Sequence, residues 1–176
     1  MGPPQNVLIL RRSHYLNIMI KAYNRELAVL YAHKWALSRN PFYYNFDDFG
    51  GDCTNFVSQC VYAGSLVMNY SPNGWYYAGL NNRAPAWSGV EFFYDFLINN
   101  QDRGPFASLI QIQNSSIGDV IVLERANGDK FHTVIITKIE KGKIYVCSHT
   151  RNALDLPIEN FSFHSLNTLH INGVRI

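Results

Sequence analysis

The sequence predicts an α+β domain in which helices come first and an antiparallel meander follows. Three observations carry this. Apolar residues recur at helical spacing in the first third of the chain and again around Phe93. After Gly118 the period changes to two, in runs rich in β-branched residues. Those runs are separated by "RANGD" and "EKGK", which are hairpin signals. At 176 residues, 47% of them apolar, the chain is long enough for one domain with a sizeable core. Residues 1–22 are expected as a partly helical extension and residues 23–176 as the single domain.

Taken in order, "AYNRELAVLYAHKWALSRN" reads as the first helix, with Ala28, Tyr31, Ala32 and Trp35 on one stripe flanked by Leu27 and Leu30. Asn40-Pro41 stops it, because proline pushes the preceding residue out of the α region. His33 on this helix reads as a surface or half-buried side chain. A tyrosine-rich loop, "PFYYNFDDF", leads into Gly50-Gly51. "TNFVSQCVYAG" is the next helix, with Phe56, Val57, Cys60 and Val61 as its apolar stripe and Gly64 suited to a left-handed stop. "NYSPNGWYYAGLNNRAPAWSGV" reads as long loops with short helical pieces. "GVEFFYDFLINNQ" is a helix presenting Phe92, Phe93, Phe96 and Leu97 on one face. "DVIVLE", "KFHTVIITKI" and "KIYVCSHT" are strands, and a last one lies in "SLNTLHINGVRI".

Composition excludes several functions. A net charge of +2 with no long basic run gives nucleic acid nothing to bind, and Arg11-Arg12 reads as a solvated helix face. No apolar run approaches the ~20 residues that span a bilayer. "NVLILRRSHYLNIMI" is a poor export signal, being broken by two arginines and lacking a small-residue cleavage site. Wall or extracellular action is expected if a leader was trimmed ahead of Met1-Gly2, and cytoplasmic action otherwise. Three cysteines argue against a secreted disulfide scaffold.

The cysteines differ from one another. On one helix, seven residues separate Cys53 from Cys60 by roughly 10 Å, too far for a disulfide. The spacing is also wrong for a zinc clip. Cys60 and Cys147 read as small buried hydrophobes. Cys53 follows Gly-Gly-Asp and opens a helix, where exposed N–H groups and the helix dipole stabilise a thiolate and can bind an oxyanion. Asp52 is expected to cap the helix by accepting a free N–H. His132, opening the strand "FHTVIITKI", is the candidate base, and His149 is a second strand histidine.

These stretches, "YNRELAVLYAHKWALSRNPFYY", "GGDCTNFVSQC", "GDVIVL", "FHTVIIT" and "SHT", resemble the bacterial putative amidase domain. That family is similar to the NlpC and CHAP groups of papain-like cysteine peptidases. The resemblance runs from about Tyr23 to Arg175. It implies a papain-like fold, with the nucleophile at a helix N-terminus packed on an antiparallel sheet. It implies Cys53 as nucleophile, His132 as general base and His149 as the third, orienting polar residue. It also implies amide hydrolysis through an acyl-enzyme on peptides or peptidoglycan fragments of the bacterial wall.

The Cys53 N–H is one expected oxyanion donor, and Tyr43 or Tyr44 is a candidate second, with packing as the other reading. Trp75, Tyr76, Tyr77 and Trp87 are candidates for a substrate groove, or for loop packing. No cofactor is expected, because thiol chemistry needs none. Strand arithmetic places His149. Closing "EKGK" with two or four residues pairs Ile139 with Ile144, which puts His149 diagonally beside His132 on one face. A three-residue closure puts it on the other face. Two other classes stay open: a peptide- or peptidoglycan-binding module without turnover, favoured by a Cys53 that is buried or remote from His132, and a zinc site of Cys53, His132 and His149.

Overall fold

The computed structural model describes residues 19–176. Residues 1–18, which include Arg11-Arg12 and most of the expected extension, lie outside it. The described end of that extension is a strand and not a helix, β1 (Ile20–Lys21). Helix α1 (Arg25–Trp35) starts where the Asn24 side chain accepts the Leu27 N–H at 3.0 Å. Its buried residues, Ala28, Val29 and Ala32, are mostly small, so the neighbouring helix can come close.

That neighbour is α2 (Cys53–Ser65), buried on every side from Cys53 to Val61 and not only along one stripe. The left-handed stop falls at Leu66 (φ 56°) and not at Gly64. Gly64 serves close approach instead: a Cβ there would overlap the Tyr23 ring and the Asn24 carbonyl. Cys60 has no exposed surface and sits among Phe56, Val57 and Val61. Cys60→Ala should therefore cost ~1–3 kcal/mol in urea unfolding by opening a small cavity, with the reactivity of Cys53 unchanged.

The stretch expected as loops contains a small hairpin, β2 (Tyr77–Gly79) with β3 (Asn82–Arg83), and one helical turn, α3 (Pro85–Ser88). Helix α4 (Val90–Asn99) buries Phe93, Phe96 and Leu97, whereas Phe92 turns outward at 60% exposure.

Six further strands, β4 (Gly104–Ile110), β5 (Val120–Glu124), β6 (Lys130–Glu140), β7 (Lys143–Ser148), β8 (Ala153–Pro157) and β9 (Ser165–Arg175), join β1 in a seven-stranded sheet. β5 to β7 form the expected meander, β8 extends it, and β9 returns to pair with β5 and β1 along one edge and β4 along the other. Every pairing is antiparallel, so the domain is α+β as the pattern predicts. Neither β4 nor β8 was expected.

The helices cover one face, where Phe56 and Val57 meet Val120, Val122, Ile135 and Leu169. Ile121, Leu123, Val134, Ile136 and Phe161 form a second core on the other face. Asp119 of "GDVIVL" is fully buried and ties the layers together. It pairs with Arg25 at 2.5 Å and His170 at 2.8 Å, and accepts the N–H groups of Ser116 and Ile171. Among the described residues, no helix is long and apolar enough to cross a membrane.

Candidate active site

The "EKGK" hairpin closes with two residues, Lys141 and Gly142, both at positive φ (50° and 77°), and pairs Ile139 with Ile144. Two residues on, a bulge at Thr137 shifts the register, so that Lys138 faces Tyr145 but Ile136 faces Val146. The Thr137 hydroxyl, held there, donates to Asp155 Oδ1 at 2.6 Å. One inserted residue exchanges the faces. His149, two residues past Cys147, therefore lies on the helix-covered face, with its ring stacked on Phe56 (centroids 4.0 Å, 20°).

His132 shares the parity of Val134 and stacks on Phe161 of the opposite core (5.8 Å, 29°). The expected diagonal contact between the two imidazoles is thus absent. The turn was read correctly and the bulge was not. Both nitrogens of His149 are engaged elsewhere, Nδ1 with Asp52 Oδ2 at 2.6 Å and Nε2 with the Trp35 carbonyl at 2.8 Å. The expectation that His149 orients His132, and the zinc set built on all three residues, fail on this geometry. Among the described residues, the metal-ligating side chains that do converge are His33, Cys147 and Asp155. Of these, His33 Nε2 and Asp155 already bond each other at 2.9 Å.

His132 and Cys53 do meet. Pairing with β7 stops at Ile135, so residues 130–134 of β6 run on past it beside the start of α2. A second bulge lies at Phe131, where Leu123 faces His132 but Glu124 faces Lys130. Burial pushes the Cys53 thiol up. The neighbouring His132 imidazole, the Thr133 backbone N–H and the Thr54 hydroxyl pull it down, and the balance is a pKa lowered from 9.0 to about 7. Burial raises Cys60 and Cys147, as befits structural thiols. Cys53 itself is only 6% exposed. His132 Nε2 is buried with no hydrogen-bond partner among the described residues, so aromatic stacking on Phe161 and Phe131 fixes the ring where a polar third residue was expected.

Asp52 is not the expected cap, since its side chain accepts no N–H of the first helical turn. Its Oδ1 accepts instead from Phe46 N–H at 2.9 Å and Asn55 Nδ2 at 2.8 Å. Tyr44 is held nearby. Its carbonyl accepts from Asn55, its N–H donates to the Tyr77 hydroxyl, and its ring packs on Phe46 and Phe49. Tyr43 stacks on Trp87, and burial pushes its hydroxyl up to about 12.

The expected groove is not one. Trp75 and Trp87 have no exposed surface, and their indole N–H groups donate to Ser58 and Asn55 of α2. They are core residues that support the helix from beneath. Tyr76 is half-buried and stacks on the exposed Tyr70 (4.8 Å). Sequence reasoning missed Arg39, Asn55 and Thr150, whose side chains hold Asp52 and the loop before it. Asn55 and Thr150 stood within the quoted "GGDCTN" and "SHT" motifs, while nothing local marks Arg39.

Residues 22–171 match the putative amidase domain. Two proteins of Bacillus subtilis (strain 168) are similar. Uncharacterized protein YhbB is 32% identical over 126 residues, covering 69% of this chain and 39% of its own length. Uncharacterized protein YjcM is 28% identical over 164 residues, covering 89% of this chain and 38% of its own. This chain thus spans well under half the length of either relative. No solved structure matches it.

Proposed function

This chain belongs to the putative amidase domain family, a membership that suggests amide hydrolysis, and we propose that it cleaves the bond with Cys53 as nucleophile and His132 as base. One observation carries the proposal: among the three thiols only Cys53, at the start of α2 beside His132, is drawn down to about 7.

In this reading the Cys53 sulfur attacks the amide carbonyl carbon while His132 holds the thiol proton. The oxygen that becomes negative is met by the Cys53 N–H, which the Asp52 side chain leaves uncapped. Tyr44 is the proposed second donor. The C–N bond breaks as His132 passes its proton to the amine, leaving a thioester. Water then gives a proton to His132 and its oxygen to the acyl carbon, and the thiol is restored as the acid departs.

The proposed relatives in mechanism are the NlpC- and CHAP-type cysteine peptidases, and the proposed substrates are peptides of the bacterial wall. Action on the wall requires export, which is part of the proposal. The 6% exposure of Cys53 favours a second reading, a module on the same fold that binds such peptides without cutting them. Incubation with defined muropeptides and mass analysis of the products separates the two. A new amine and acid on one muropeptide, absent with Cys53→Ala, supports hydrolysis. Retention on peptidoglycan with no product over hours supports the binding module.

A further inference from the structure

Asp52 and His149 are each only 1% exposed, and the pair stands directly before the Cys53 helix. Opposite both ring nitrogens lie acceptors, a carboxylate oxygen at 2.6 Å and the Trp35 carbonyl at 2.8 Å. A neutral imidazole has one N–H, so in that form one of these contacts would set lone pair against lone pair. The donors around the carboxyl group favour its ionised form. Its Oδ1 already accepts two N–H donors, from Phe46 and Asn55. Its Oδ2 faces Arg39 Nε at 3.4 Å as well as the ring.

We infer that His149 is held as an imidazolium paired with the Asp52 carboxylate, and that this buried ion pair is the device that positions Cys53. The groups tied to it come from several segments around the nucleophile. They are the end of α1 through Trp35, the turn after it through Arg39, the aromatic loop through Phe46, and the first turn of α2 through Asn55. The Asp52 N–H donates to the Thr150 hydroxyl at 2.8 Å, so the residue after His149 binds the same turn. Gly51 (φ 105°) lets that strand end approach, because a Cβ there would lie 2.8 Å from the Thr150 oxygen. The ring also lies over Phe56, a favourable place for a cation one turn into α2. Desolvation leaves such a pair little net stability, but its geometry is single-valued, which is what a positioned nucleophile needs.

The positioning role rests on Cys53 being the reactive thiol, whereas the ring protons do not, and the two are read separately. Nitrogen and proton NMR of the histidine-labelled chain at neutral pH should show His149 protonated at both Nδ1 and Nε2. A ring with one protonated nitrogen overturns the ion pair. Asp52→Asn can turn an amide N–H toward Nδ1 while its oxygen keeps the two backbone and side-chain donors. It should therefore fold and leave His149 neutral, protonated at Nε2 alone. Iodoacetamide labelling of Cys53, corrected for the folded fraction, reads the positioning. His149→Ala should slow it ~5-fold at pH 7, the loss of thiolate that a one-unit rise from about 7 in the thiol pKa produces. His149→Gln, which keeps a donor toward Asp52, should recover part of the rate. An unchanged rate and pH profile in folded His149→Ala overturns the positioning role, even if both ring protons are seen.

Discussion

Cys53→Ala is expected to abolish amide hydrolysis, by on the order of 10⁴–10⁶ in kcat, while the circular dichroism of the fold is unchanged. The whole proposed reaction passes through one sulfur, and no neighbouring thiol can substitute. Cys60 and Cys147 are both buried in the core, and burial raises both of them. His132→Ala should cost nearly as much, through a different route: the thiol remains, but the partner that draws it down to about 7 is gone. The two losses should not add in the double variant, because the residues act as one unit. Full activity in folded Cys53→Ala would remove the thiol from the mechanism.

Trp87→Ala is expected to destabilise the domain by ~3–5 kcal/mol in urea unfolding. The indole is fully buried, packs against Tyr43, Tyr62, Trp75 and Tyr77, and donates to Asn55. Truncation opens a large cavity and leaves the Asn55 oxygen unpaired beneath the first turn of the Cys53 helix. A groove residue would behave otherwise, raising KM with stability within ~0.5 kcal/mol of the parent. Either pattern is plain in one unfolding curve and one kinetic series.

The helices α1, α2 and α4 and the strands β5, β6, β7 and β9 are legible because each keeps its own period over enough residues. Strand β4 hides behind its opening Gly104-Pro105, and β8 is interrupted by Asp155 at φ 48°, so neither shows a clean alternation. Cys53 and His132 are legible because helix-start chemistry and strand position are local. The place of His149 is not. Its face depends on one bulge at Thr137, held by a hydroxyl bonded to Asp155, eighteen residues further along the chain. The tryptophans mislead for a related reason. Composition marks an aromatic loop, but only tertiary contacts show that Ser58 and Asn55 offer the buried acceptors that let both indoles go inside.

The central claim is that Cys53 and His132 form a reactive pair, and the pH dependence of alkylation tests it most directly. Iodoacetamide reacts with the thiolate, so below the thiol pKa its rate rises about tenfold per pH unit and then levels off. In the folded protein, peptide mass analysis should show Cys53 modified well before Cys60 and Cys147, with its rate levelling near pH 7. In His132→Ala the levelling point should move up toward the ordinary 9.0. Equal labelling of all three cysteines, or a Cys53 profile that His132→Ala leaves in place, would contradict the pair.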